Sequence, residues 1–255
     1  MIGREELLRI SRITGMKPHQ QEKHYIQVLT LRSIYSSHDM IFKGGTALMF
    51  SIGLDRFSED LDFNVMGDDL DVETFLQTIL KDLEYMGVQA QGSLISDMER
   101  SQVLRIGAEG PLFSREIERC YVRIDISRRE KNILAPEMIF IETPYPDQLP
   151  FSVSVMSHPE ILAEKFRALM TREKARDLYD VWFLLKKGVK TNLALVEEKM
   201  EYYEKSFDRG ELESSIMRKR DIWKSELESL IFGRLPAFEM VNEYVIDEIK
   251  KSLFL

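Results

Sequence analysis

The chain has a single cysteine, Cys120, in 255 residues. No internal disulfide can form from it, and a cytoplasmic location is the expectation. Cys120 lies among strand-like residues and reads as small buried filler, not as a nucleophile. Histidine is also sparse, with four in the chain. His24, His38 and His158 show no metal-ligand spacing, so no zinc site is expected. No apolar run approaches the roughly 18 residues of a membrane span. The first residues, Met1-Ile2-Gly3-Arg4-Glu5-Glu6, lack the apolar centre of a secretion signal. No membrane partner is expected. Positive charge is in deficit, since 35 Lys+Arg against 43 Asp+Glu give a net charge of −8. That argues against indiscriminate nucleic-acid binding, though not against a local basic patch. Arg128-Arg129-Glu130-Lys131 and Arg218-Lys219-Arg220 are the candidate patches, and such short runs are by default solvated faces. Repeats and low-complexity linkers are missing too.

What is there begins with composition. Hydrophobic residues make up 44% of the chain, enough to bury a core in one large or two modest domains. The richest stretch runs from Lys43 to Asn64. Met40-Ile41-Phe42 reads as a short apolar strand, and Gly44-Gly45 follows as a turn. Thr46 to Phe50 can start a helix that stops at Gly53. Glycines at a helix start let backbone N–H groups approach a phosphate, and the helix dipole adds positive charge there. Glu59-Asp60-Leu61-Asp62-Phe63-Asn64 alternates as a strand does, with Leu61 and Phe63 on one face and Asp60 and Asp62 on the other. Two adjacent carboxylates suit Mg²⁺, whose other ligands would be waters and nucleotide phosphates. Taken singly, the glycine pair is most often a plain turn and the Asp pair a solvated face. In this order they resemble the metal-nucleotide site of polymerase-beta-type nucleotidyltransferases.

The remaining chain divides by pattern. Helices are predicted over 4–13, from Pro18 to about Ser36, and after an Asp71 cap, where Phe75, Leu76, Ile79, Leu80, Leu83 and Met86 recur at helical spacing up to Gly87. Strand-like runs follow at 88–95, 103–108, 120–127, 138–142 and 151–156. Their connections are too short for parallel crossovers throughout, which implies an antiparallel or mixed sheet. Ser157 and Glu160 have capping-box spacing. Helices are then predicted over about 158–170, 172–187, 192–207, 211–232 and 237–253. The expectation is an α+β fold, with an α/β domain over residues 1–156 and a helical domain over 157–255 packed on it.

Two further groups stand out. In the strand from Tyr121 to Ser127, Val122, Ile124 and Ile126 share one face, and Arg123 and Asp125 the other. Asp125 is a candidate third metal carboxylate or general base; the plain alternative is a surface pair with Arg123 or Arg128. In the helices, Lys165 borders an apolar stripe, and Asp177 and Asp180 share one side of theirs. They read either as part of a polar cleft or as an ion network tying the elements together.

Four motifs carry a family resemblance: Lys43-Gly44-Gly45-Thr46-Ala47-Leu48, then Arg56 to Phe63, then Ala163-Glu164-Lys165, then Arg176-Asp177-Leu178-Tyr179-Asp180. In this order they resemble the AbiEii/AbiGii toxin family of nucleotidyltransferases. Fourteen residues separate Gly45 from Asp60, a longer spacer than in many other nucleotidyltransferases. The resemblance implies a polymerase-beta-like mixed sheet, NTP as substrate, Mg²⁺ or Mn²⁺ as cofactor, and transfer to an acceptor hydroxyl of RNA, tRNA in some members. It also implies a toxin role in an abortive-infection or toxin–antitoxin pair, with a cognate antitoxin as the partner in the second case. The expected metal ligands are Asp60, Asp62 and Asp125. Expected nucleotide contacts are Lys43, Gly44, Gly45, Thr46, Arg56, Ser58 and Lys165, and Asp177 and Asp180 join the catalytic set. The rival expectations are a nucleotide-binding regulator without turnover, and an enzyme acting on a protein or a small molecule.

Overall fold

A computed structural model describes residues 1–65, 70–128 and 131–253. Arg129 and Glu130, half of the first basic run, lie outside the described residues. The chain forms two units. One holds residues 1–53, 57–131 and 136–155; the other holds 54–56, 132–135 and 156–255.

In the first unit, α1 (Arg4–Thr14) stops at Gly15, and α2 (Pro18–Ser37) starts on Pro18, where the missing N–H costs nothing. Tyr25, Ile26, Leu29, Leu31 and Ile34 of α2 are fully buried. Next come β1 (Met40–Lys43), α3 (Gly44–Ser51) and β2 (Asp60–Val65). The helix α4 (Val72–Tyr85) is capped as its sequence suggests, since the Asp71 carboxylate accepts from the N–H groups of Glu73 and Thr74. Five more strands follow: β3 (Ala90–Met98), β4 (Ser101–Ala108), β5 (Cys120–Ser127), β6 (Glu137–Ile141) and β7 (Phe151–Val155).

The strands form one mixed sheet in the order β3-β4-β5-β2-β1-β7-β6. Pairing is parallel at β2–β5 and β1–β7 and antiparallel elsewhere. Strand alternation gives the sheet two unlike faces. Phe42, Leu61, Phe63, Leu104, Ile106, Val122 and Ile124 are wholly buried, on the face that α2 and α4 cover. Burial of this apolar face stabilises the unit by about 25 cal/mol per Å² of surface removed from water. Cys120 is buried with it, and burial pushes its thiol up to about 12. The opposite face carries the polar residues of β2 and β5.

The second unit is helical: α5 (His158–Thr171), α6 (Ala175–Lys186), α7 (Leu193–Glu201), α8 (Arg209–Arg218), α9 (Trp223–Leu227) and α10 (Phe238–Leu253). The predicted capping box at α5 does not form. Ser157 makes no side-chain cap bond. Glu160 instead accepts from the N–H groups of Ile133 and Leu134, at 2.9 Å each, and pairs with the buried Lys199 at 2.7 Å. The single helix expected over 211–232 is two, α8 and α9. Between them Lys219 is buried and donates to the carbonyls of Leu169 and Arg172 at the end of α5. Its neighbours Arg218 and Arg220 pair with Glu173 and Glu239. Of the second basic run, Lys219 is thus spent on internal contacts, while Arg218 and Arg220 make exposed surface pairs. Among the described residues no helix is long and apolar enough to cross a membrane.

Candidate active site

The site in the α/β unit is built by register. Lys43 of β1 is paired with Asp62 of β2, and Asp62 with Asp125 of β5. Paired residues project from the same face, so Lys43, Asp62 and Asp125 form a row across three strands. One step along, Asp60 is paired with Arg123. Asp60 and Asp62 are half-buried, and Leu61 between them is fully buried. Lys43 is buried at the end of the row.

The start of α3 lies against this row. Gly44 takes a left-handed φ of +76°. A Cβ built on it would sit 2.3 Å from Asp62 Oδ2, so only glycine brings the backbone this close to the carboxylate. Gly45 and Thr46 are buried in the first turn. The Thr46 hydroxyl donates to the Asp60 carbonyl at 2.5 Å, which ties the helix start to β2. Gln27, buried in α2, donates to the carbonyls of Ser58 and Glu59 at 3.0 and 2.9 Å and fixes the path into β2. The sequence reading missed Gln27. Its signal was a polar residue among the apolar positions of α2.

Asp125 has a partner on its own strand. Arg123 Nε lies 2.9 Å from Oδ2 and Nη2 lies 2.8 Å from Oδ1. The Arg123 pKa is raised, first by this hydrogen bond and further by the negative charges of Asp125, Asp60 and Asp62. Among the described residues no group of three or more His, Cys, Asp and Glu side chains stands gathered for a metal ion. The donor types nevertheless fit a hard divalent cation, since carboxylate oxygens from neighbouring strands face one way beside a helix start.

The helical unit also holds predicted site residues. Arg56 is only 2% exposed and donates to both oxygens of Asp180, at 2.7 and 2.6 Å. Lys165 lies 3.1 Å from Asp177 and 2.7 Å from Asp180. Arg172 reaches Asp177 at 2.7 Å. Asp177 and Asp180 are fully buried. Burial opposes their ionisation, but Lys165 and Arg172 outweigh it at Asp177, and Arg56 and Lys165 at Asp180, so both carboxyls stay below the ordinary range. Nearby, the Tyr179 hydroxyl donates to Asp55 at 2.7 Å. The long spacer between Gly45 and Asp60 thus carries α3 and then residues 54–56, which belong to the helical unit. Of the predicted residues, Lys43, Gly44, Gly45, Thr46, Asp60, Asp62 and Asp125 meet around the row in the α/β unit. Arg56, Lys165, Asp177 and Asp180 meet in the helical unit. Ser58 is half-buried on the path into β2.

A mixed sheet bearing a carboxylate row beside a glycine-led helix is the frame of a nucleotidyltransferase. The sequence model of the family described as nucleotidyl transferase AbiEii toxin, type IV toxin–antitoxin system, matches residues 32–244. The chain belongs to this family, and it is a nucleotidyltransferase of the toxin type. Solved structures agree in fold. MenT4, a nucleotidyltransferase toxin from Mycobacterium tuberculosis, superposes with a TM-score of 0.68 at 18% identity, over 100% of this chain and 91% of that one. JHP933 from Helicobacter pylori superposes with a TM-score of 0.63 at 20% identity, over 91% of this chain and 90% of that one. No curated protein sequence matches significantly.

Proposed function

We propose that the α/β unit binds NTP with Mg²⁺ or Mn²⁺ and transfers a nucleoside monophosphate to a hydroxyl of RNA, tRNA included. The toxin would be held in check by a cognate antitoxin. The observation that supports this reading is the Lys43–Asp62–Asp125 row, with Asp60 beside it, lying against the start of α3. Lys43 and the N–H groups of Gly44, Gly45 and Thr46 would meet the phosphates. Asp60 and Asp62 would hold the cation, which when bound neutralises charge on the triphosphate. Asp125 would accept the proton of the attacking hydroxyl or complete the cation site. We assign Arg56, Lys165, Asp177 and Asp180 the role of holding the helical unit together, because their charges are buried and spent on one another.

Asp60→Asn and Asp62→Asn test the reading. Each is expected to cut transfer by about a hundredfold or more, the scale on which electrostatic groups act in transition states. Circular dichroism should show the fold intact. Near wild-type transfer in either variant would overturn the assignment. A second reading, transfer to a protein or small molecule, is favoured by the net charge of −8 and by the burial of Lys219 within the second basic run.

A further inference from the structure

We propose that Arg123 is the resident counter-ion of the carboxylate row, holding both oxygens of Asp125 until a divalent cation displaces it. The proposal rests on the metal-binding reading above. Three observations carry it. Arg123 and Asp125 are two residues apart on β5, so alternation puts them on one face, and the guanidinium grips the carboxylate through Nε and Nη2 at 2.9 and 2.8 Å. The register sets Arg123 opposite Asp60 and Asp125 opposite Asp62, which places the guanidinium beside all three carboxylates. Like charges this close repel, and a cation among them relieves the repulsion. Arg123 is also the more exposed member, its side chain 52% exposed against 28% for Asp125, so its guanidinium can be rehydrated without burying a charge. An arginine cannot lose its proton at accessible pH, so it can leave only by exchange for another cation. The grip on Asp125 engages both of the oxygens that a cation would take.

The exchange is purely ionic. The hydrogen bonds from the guanidinium to Asp125 would be given up, the carboxylate oxygens would take the incoming cation, and no proton moves. Cation affinity in the nucleotide-free protein is then set by competition with Arg123, and a substitution there should tighten binding.

The experiment measures Mn²⁺ binding to the full-length, nucleotide-free protein by the electron paramagnetic resonance signal of free Mn²⁺. Arg105 provides the control. It is exposed, sits opposite Arg123 on β4, and lies over the Tyr121 ring. Arg105→Gln thus makes the same change in net charge without releasing Asp125. Arg123→Gln is expected to bind Mn²⁺ about three- to fivefold more tightly than wild type, the scale of an exposed bidentate pair. Arg123→Lys should fall between, because an ammonium cannot chelate both oxygens. Arg105→Gln should change affinity by less than twofold, and Asp60→Asn should abolish tight binding in every background. Equal tightening by Arg105→Gln and Arg123→Gln would overturn the proposal, since only the general field would then matter. Unchanged Mn²⁺ affinity in a folded Arg123→Gln, with Asp60 still required, would overturn it while leaving the metal reading standing. Mn²⁺ binding that ignores Asp60 would overturn both.

Discussion

At Gly44 two constraints coincide. Its φ of +76° is a conformation that side-chain-bearing residues resist, and any Cβ would meet the Asp62 carboxylate. Gly44→Ala is expected to destabilise by about 1–3 kcal/mol, the usual cost of a strained backbone position, and to lower nucleotide affinity because Asp62 must move. Thermal unfolding and NTP titration check both effects, whereas a plain turn glycine would show only the first. His24 makes a prediction about pH. It is buried, stacked on Phe50 and 2.7 Å from the Tyr145 hydroxyl, and burial lowers its pKa from 6.5 to about 4. A depressed histidine contributes stability that is complete above the unfolded value of 6.5 and is lost as pH falls towards 4. Chemical denaturation should show about 2–3 kcal/mol less stability near pH 4.5 than near pH 7 from this group. His24→Gln should flatten that difference. The Asp60/Asp62 alternation was legible in the sequence because a strand's period is fixed. The choice between a metal role and an Arg123 pair for Asp125 was not legible, because both place the two residues on the same face.

Among the elements, the strands were the most readable: the run predicted at 120–127 is β5 residue for residue, since β-branched alternation leaves little freedom. The helical unit was less so. Ser157 and Glu160 have the spacing of a capping box, but Glu160 serves the N–H groups of Ile133 and Leu134. Those donors are distant in sequence, and their demand outweighs a local cap. The break between α8 and α9 likewise follows from a long-range need, the α5 carbonyls met by Lys219. The Arg56–Asp180 pair joins a short loop segment to α6 inside the unit, with both side chains almost wholly buried. Asp180→Ala is expected to cost about 3–5 kcal/mol, because it strips a buried guanidinium of its bidentate partner. The double variant Arg56→Met/Asp180→Leu should recover most of that loss. Thermal melts of the wild type, Asp180→Ala, Arg56→Met, Asp180→Leu and the double variant check this, and an additive double variant would show that the two residues act independently.

For the whole molecule, the class of fold and the family could be read from four motifs in order, whereas the strand order β3-β4-β5-β2-β1-β7-β6 could not. Local periodicity says which residues are strands and nothing about which strands pair. The same limit hid the membership of residues 54–56 and 132–135 in the helical unit. Net charge is a property of the whole chain and bears on the acceptor. At −8, binding to RNA must come from local contacts and not from a general attraction. The most direct test of the account is labelling with each NTP carrying either an α- or a γ-phosphorus label, with Mg²⁺, against total RNA and total protein. The account predicts that α-label enters RNA, that γ-label does not, and that chelation of the cation or Asp62→Asn removes the signal. Label in protein alone, transfer of the γ-label, or incorporation that survives chelation would contradict it.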